Sequence, residues 1–284
     1  MLRLQEGLPR AGGCGRAPHG GWEHLRRFEE ISIVPLPILD PRHYDASFGS
    51  TCALAIMAKA PVPGKVKTRL SPPLTAEQAA HLNRCFLMDT TANISALAST
   101  YRCTGVISYT PVGAEHLFDG LLPEDFRLVP QRGNGFGERL QATAQDLFSC
   151  GFGSICLVDS DSPTLPAEAF LTAVETLEKP GDRVVVGPSH DGGYYLIGMK
   201  RLHPELFADI AWSTETVFEE TVAAIQRIGV ELVTLPLWYD VDDAATLATL
   251  QDELIHHRAP SFATLHGYAA RTTQAFLRQL DWQA

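Results

Sequence analysis

Asp159 and Asp161 stand two residues apart at the end of the apolar run 154-SICLVDSD-161. If that run is a strand, both side chains leave it on one side. Two carboxylates about 5 Å apart repel by roughly 3 kcal/mol at an effective dielectric of 20. A divalent cation removes that cost. Hard oxygen ligands suit Mg2+ or Mn2+, with phosphate oxygens completing the shell. The bland use of Asp-Ser-Asp-Ser-Pro is a turn or a helix cap. A second acidic group, 238-WYDVDDAATL-247, holds Asp240, Asp242 and Asp243. Asp242 or Asp243 is expected to cap the helix that follows. Asp240, at a strand end, is the better second contributor to a metal, with Asp242 a further candidate.

The basic counterpart is 58-AKAPVPGKVKTRL-70. The chain has five lysines, and Lys59, Lys65 and Lys67 fall within nine residues of one another, with Arg69 just beyond. No acidic residue lies between Asp45 and Glu77. Pro61 and Pro63 stiffen this loop and Gly64 lets it turn. Its cations can neutralise a di- or triphosphate, as point charges and as a bidentate fork. It has neither Walker A nor Rossmann spacing.

The segment 187-GPSHDGGYYLIG-198 is the third candidate. Gly192 and Gly193 permit a backbone approach that a Cβ would block. With His190 and Tyr194 they outline an acceptor or sugar pocket, and a tight hairpin turn fits them equally. Asp161 and Asp191 are the candidate catalytic carboxylates. In 131-QRGNGFGERL-140, Gly133, Gly135 and Gly137 either leave N–H groups for an anion or form a connector. In 211-AWSTETV-217, Ser213 or Thr214 is expected to cap a helix that Trp212 anchors. No nucleophilic triad, HExxH pair or dinucleotide fingerprint occurs, which leaves a metal-assisted transfer in which the protein supplies position and charge.

These segments need a frame that gathers them. Apolar runs at 52–58, 104–110, 126–130, 154–161, 183–189, 194–200 and 230–236 read as strands. Helices are expected from Thr75, where Thr75 and Gln78 form a capping-box pattern, from the glycine loop to about Phe148, and over 166–178, 215–228 and 243–256. This alternation predicts an α/β sheet with helices on both faces. Continuous apolar strands predict that it is mostly parallel. Ligands of such sheets bind beyond the carboxyl ends of the strands, where most of the segments above fall.

Composition sets the outer limits. The chain has 284 residues, 45% hydrophobic and 20% charged, with a net charge of −10. That charge disfavours a general grip on nucleic acid or an anionic membrane. No apolar run is long enough to span a bilayer. The six cysteines show no CxxC spacing and are expected to be buried thiols in a reducing compartment. Residues 1–48, rich in Gly and Pro and without net charge, are expected to be a disordered or mis-started leader. The catalytic domain is expected over 49–256 and a helical extension over 257–284.

The motifs MAKAPVPGKVKTRL, GERL, VDSDSP, GPSHDGGYYLIG, WST and DVDD, in that order, resemble a bacterial family of GT-A-like transferases. Its members are described as arsenosugar-biosynthesis glycosyltransferases or radical-SAM/selenodomain-associated transferases. The resemblance covers about residues 52–255. It implies a GT-A-like fold of the nucleotide-diphosphosugar transferase superfamily, with a mostly parallel, twisted sheet. It also implies that Lys59, Gly64, Lys65, Lys67 and Arg69 grip nucleotide phosphates, and that Asp161, with Asp159 beside it, binds Mg2+ or Mn2+. Lys59, Pro61, Lys67, Thr68, Arg69 and Leu70 are also similar to the basic loop of 2-phospholactate guanylyltransferase. Asp240 and Asp242 match the late acidic segment of that enzyme and of the molybdenum-cofactor nucleotidyltransferases. Pro61 and Pro63 stand where a GxGTR loop is typical, so no base specificity carries over. The expected activity is cytoplasmic glycosyl transfer from a nucleotide-diphosphosugar to a small acceptor. The alternatives are nucleotidyl transfer to a small phosphorylated acid and a non-catalytic nucleotide-binding module.

Overall fold

The first strand, β1 (Cys52–Lys59), is apolar on both sides, so it must be covered on both. In the computed structural model, which describes residues 35–280, it is an inner strand of a seven-stranded sheet. The others are β2 (Cys103–Thr110), β3 (Arg127–Pro130), β4 (Ser154–Val158), β5 (Arg183–Pro188), β6 (Tyr194–Met199) and β7 (Glu231–Thr234). Their spatial order is β3-β2-β1-β4-β6-β5-β7. All pairs are parallel except those of β6, which runs antiparallel to both β4 and β5. The expected α/β sheet is present, with one reversed strand inside it.

That reversal matters for position. The 189–193 turn follows the carboxyl end of β5, which runs the same way as β1 and β4, and because β6 runs backwards its first residues lie at that same edge. The hydrogen bond from Asp159 N to the Tyr195 carbonyl, 2.9 Å, carries the β4–β6 pairing one step past the strand. Asp159 therefore lies beside the start of β6.

Side chains alternate between two cores. Leu54, Ile56 and Ala58 of β1 face one side, with Phe86 of α1 (Ala76–Ala98), Phe170 of α3 (Ala167–Glu178) and Leu250 of α5 (Ala244–Leu254). Ala53 and Ala55 face the other, with Leu147 of α2 (Phe136–Cys150) and Ile225 of α4 (Val217–Ile228). A fully buried Leu or Phe is worth about 1.5–3 kcal/mol, so the two faces give the sheet its rigidity. The helix starts follow sequence chemistry. Gln78 N donates to Thr75 Oγ1 at 3.2 Å and Thr75 N to Gln78 Oε1 at 2.8 Å, the expected capping box. Asp243 caps α5 through Thr246 N at 2.9 Å.

Two terminal expectations change. Residues 1–34 of the expected leader lie outside the described residues, but its remainder is ordered. Leu128 N donates to the Pro37 carbonyl and Leu39 N to the Leu128 carbonyl, which adds a short rung beside β3. Phe48 stacks on Phe152 with ring centroids 4.3 Å apart. The folded unit therefore begins well before residue 49. At the other end, the tail is a coil followed by the short helix α6 (Arg271–Leu277). Asp89 of α1 accepts from Thr272 N at 3.0 Å and Thr273 N at 2.7 Å, which fixes the start of α6. The five described cysteines are free and buried, and Cys52 and Cys156 lie with their sulfurs 3.9 Å apart. No helix among the described residues is long and apolar enough to cross a membrane.

Candidate active site

β4 ends at Val158 because the chain turns on itself through short polar bonds. Ser162 Oγ donates to Asp159 Oδ2 at 2.7 Å, and Asp161 N to Asp159 Oδ1 at 3.3 Å. Burial pushes the Asp159 carboxyl well above its ordinary range, and the Asp161 charge adds to the push. The Ser162 bond opposes it, and Asp240 adds a smaller repulsion.

The late acidic segment reaches the same place by a different route. Trp238 N donates to the Pro188 carbonyl and His190 N to the Trp238 carbonyl, which lays residues 238–240 alongside the 189–193 turn. Val241 N donates to the Asp161 carbonyl at 2.9 Å. Ser189 Oγ donates to Asp240 Oδ1 at 2.7 Å. The Asp240 carboxyl is raised, first by burial, against the Ser189 bond, with Asp191 and Asp242 adding repulsion.

Lys67 departs from its expected role. Its side chain is only 4% exposed. The ammonium lies 2.8 Å from Asp161 Oδ1 and 3.1 Å from Asp242 Oδ1, and donates to the Val241 carbonyl at 2.7 Å. An ammonium has three hydrogens, and these contacts use them. Lys67 is thus an internal tie between the first loop and the two acidic segments, not a free cation for a phosphate. Burial works against its charge, but Asp161 and Asp242 outweigh burial and raise its pKa. Burial likewise works against the charge of Asp242, and Lys67 and Arg69 overturn it, so that carboxyl is lowered. Arg69 also pairs with Asp242, while most of its side chain stays exposed.

This pairing divides the four candidate metal ligands. Asp161 and Asp242 already hold a lysine. Asp159 and Asp240 are half-buried, raised and, among the described residues, hydrogen-bonded only by Ser162, Ser189 and the Asp161 N–H. A hard divalent cation is what would neutralise such a pair. Among the described residues no group of three or more His, Cys, Asp or Glu side chains is placed to hold a metal. Asp159 and Asp240 could supply at most two carboxylate ligands, so an ion at this place would need water and substrate phosphate to complete its shell.

Two adjoining cavities open at this edge. The larger, about 440 Å³, has an acidic side with Asp159, Asp161, Asp191 and Asp240. Its other side is apolar and aromatic, with Met57, Leu140, Phe136, Tyr194 and Trp212. Trp212 packs edge-on to Phe136 at 5.4 Å and to Tyr194 at 6.4 Å. The smaller cavity, about 210 Å³, is basic: Lys59, Lys65 and Arg69 line it with Asn83 and Ser160. Arg69, Asp161 and Asp242 border both, so the ion cluster around Lys67 is the partition between them.

Of the acceptor-side candidates, Gly193 and Tyr194 line the larger cavity, together with Asp191, whose Oδ1 accepts from Gly193 N at 2.8 Å. Gly192 has φ +89° and lies against the Glu215 carbonyl, where no Cβ would fit. His190 turns outward and packs on Phe262 at 4.9 Å. Gly64, at φ +70°, turns the first loop between Lys59 and Lys65.

Two minor expectations are corrected. The N–H groups of Asn134 and Gly135 donate to Glu138 Oε2, so the glycine loop caps its own helix rather than offering an anion site. Gly137 leaves room for the Trp212 indole. Neither Ser213 nor Thr214 caps α4. Thr216 stands at its N-cap, and Thr214 Oγ1 donates to the Ala211 carbonyl at 2.7 Å. Sequence reasoning passed over Asn83 and Phe136. Phe136 carried one signal, an exposed-type aromatic amid glycines. Asn83 carried none, as a polar residue within an amphipathic helix.

A mixed sheet of this order, with acidic and basic side chains gathered where β1, β4 and β5 end, is the fold of the nucleotide-diphospho-sugar transferases. A protein from Desulfovibrio desulfuricans G20 shares it with a TM-score of 0.66 and 32% identity, over 81% of this chain and 98% of that one. Its crystal structure is described, provisionally as to activity, as that of a nucleotide-diphospho-sugar transferase. The chain belongs to the family of that protein. The profile of DUF2064, an uncharacterised protein conserved in bacteria, matches residues 93–214. More distant likenesses include a CMP:2-keto-3-deoxy-manno-octonic acid synthetase in complex with CTP, with a TM-score of 0.48 and 10% identity over 73% of this chain and 100% of that one. A cytidylyltransferase from Leptospira borgpetersenii serovar Hardjo-bovis has a TM-score of 0.45 and 10% identity over 82% and 99%. The comparison with curated proteins gives no match.

Proposed function

We propose that this protein is a metal-dependent transferase that takes a nucleotide-diphospho-sugar as donor and a small hydroxyl-bearing molecule as acceptor. The observation that carries the reading is the pair of adjoining cavities, one basic and one acidic and aromatic, separated by a single ion cluster. The kinship with the Desulfovibrio protein supports the donor class. The exposed cations Lys59, Lys65 and Arg69 hold the donor phosphates in the basic cavity. Asp159 and Asp240 hold Mg2+ or Mn2+, which when bound supplies positive charge to the departing diphosphate.

The aromatic wall of Phe136, Tyr194 and Trp212 receives the face of the transferred sugar or of the acceptor. Asp191 accepts the proton of the acceptor hydroxyl as the new glycosidic bond forms and the sugar–phosphate bond breaks. Lys67 keeps Asp161 and Asp242 neutralised and in place, so that they do not repel the phosphates. The free thiols agree with a reducing, cytoplasmic setting.

The test is the identity of the product. Incubation with UDP-, GDP- and CDP-sugars, and separately with CTP and GTP plus phosphorylated acids, distinguishes the bonds broken. Release of a nucleoside diphosphate is expected. Release of pyrophosphate instead would establish nucleotidyl transfer and overturn the glycosyl assignment.

A further inference from the structure

The basic cavity has a wall that belongs to none of the motifs at its mouth. Asn83 lies in the second turn of α1, only 4% exposed, and lines the cavity with Lys59, Lys65 and Arg69. Its Oδ1 is buried and has no hydrogen-bond partner among the described residues. Asn93, farther along the same helix, shows the ordinary arrangement: its Nδ2 donates to the Leu165 carbonyl at 2.9 Å. Thr90, also without a partner, lies outside the cavity. A buried amide oxygen without a donor is unfavourable, and Asn is a mediocre helix former, so neither packing nor helix propensity accounts for Asn83.

We propose that Asn83 is a further binding residue of this cavity, and that its amide donates to a phosphoryl oxygen of the donor's diphosphate. The inference rests on the donor-phosphate reading above. Among the described residues its Nδ2 makes no hydrogen bond and, unlike Oδ1, is not fully buried, so the NH2 can donate to a group in the cavity as it stands. The three cations supply attraction without direction. A neutral, buried donor on a rigid helix fixes where the phosphate sits, and this makes Asn83 a specificity-determining residue. The cavity volume of about 210 Å³ is too small for a whole nucleotide, since ligand pockets for drug-sized molecules run to roughly 300–1,000 Å³. It suits the diphosphate alone, with the rest of the donor outside.

The experiment is calorimetric titration of the full chain with inorganic pyrophosphate in the presence of Mg2+, followed by displacement with UDP, GDP and CDP. Lys59→Ala and Asn83→Leu are each expected to weaken pyrophosphate binding by about tenfold, and Asn83→Asp by more. At least one nucleoside diphosphate is expected to displace pyrophosphate. The unliganded thermal midpoint of N83L is expected to equal or exceed that of the wild type, because an orphaned polar group has been removed. If N83L does not fold, N83S and N83D carry the same comparison.

Wild-type affinity in the Asn83 variants beside weakened binding in K59A would overturn the role of Asn83 and leave the donor-phosphate reading intact. No pyrophosphate binding by the wild type would overturn both. A lowered midpoint in N83L with unchanged affinity would make Asn83 structural. Simultaneous binding of pyrophosphate and every nucleoside diphosphate would assign the cavity to an acceptor's phosphate and overturn the donor assignment.

Discussion

Lys67 shows how far charge counting goes at the scale of a residue. A lysine in a basic loop reads as an anion ligand, and Lys59 and Lys65, both exposed, keep that option. Lys67 loses it because its backbone takes the left-handed conformation, φ 48° and ψ 37°, which turns the side chain inward onto Asp161 and Asp242. Removing one partner of such a group leaves unpaired charge, which costs about 3–5 kcal/mol when the site is buried. The aspartates here are each 30% exposed, so Lys67→Met is expected to cost about 3 kcal/mol, read from the shift of the urea midpoint. The pH dependence has a definite sign. The lowered carboxyl of Asp242 contributes stability above its ordinary value of 3.8 and loses it as pH falls through the lowered value. The raised ammonium contributes below 10.5 and loses it above. The deficit of K67M should therefore be flat over about pH 5–9 and shrink below about pH 4. A deficit under about 1 kcal/mol, or one that grows on acidification, would mean that Lys67 is not the tie described.

At the scale of elements, the strands and helix starts were legible because they obey local rules. Short uninterrupted apolar runs bounded by turn residues read as strands covered on both faces, and Thr75 with Gln78 and Asp243 with Thr246 are capping pairs readable in one turn of sequence. The direction of β6 was not legible. A buried antiparallel strand has the same apolar composition as a parallel one, and the pairing partner is set far away in sequence. Yet that reversal brings the start of β6, directly after the 189–193 turn, to the strand ends of β1 and β4. The turn is then locked to the start of α4: Phe218 N donates to the Gly192 carbonyl at 2.9 Å. At Gly192 a Cβ would press into the Glu215 backbone, at a φ of +89° that side chains rarely adopt. Gly192→Ala is expected to lower stability by about 2 kcal/mol and to detach the 211–217 segment, with Trp212, from the larger cavity. Trp212 fluorescence should shift to the red in G192A. Unchanged emission and stability would show that the turn and this segment are not coupled.

At the scale of the whole molecule, an acidic chain of net charge −10 keeps most of its lysines in one loop and brings that loop to the edge where four aspartates meet. The convergence was foreseeable in outline, since each segment follows a strand. The partition was not, because it depends on which aspartate receives Lys67, a matter of three-dimensional placement. It leaves Asp159 and Asp240 as the acidic pair without a cation, where the proposed divalent ion and nucleotide would meet. The most direct measurement is the thermal midpoint of the wild type, Asp159→Asn and Asp240→Asn with UDP-, GDP- and CDP-sugars, each with and without Mn2+. A rise is expected for one nucleotide series in the wild type only when Mn2+ is present, with its loss in both variants. A rise of the same size without Mn2+, or one that survives both substitutions, would contradict the proposed site.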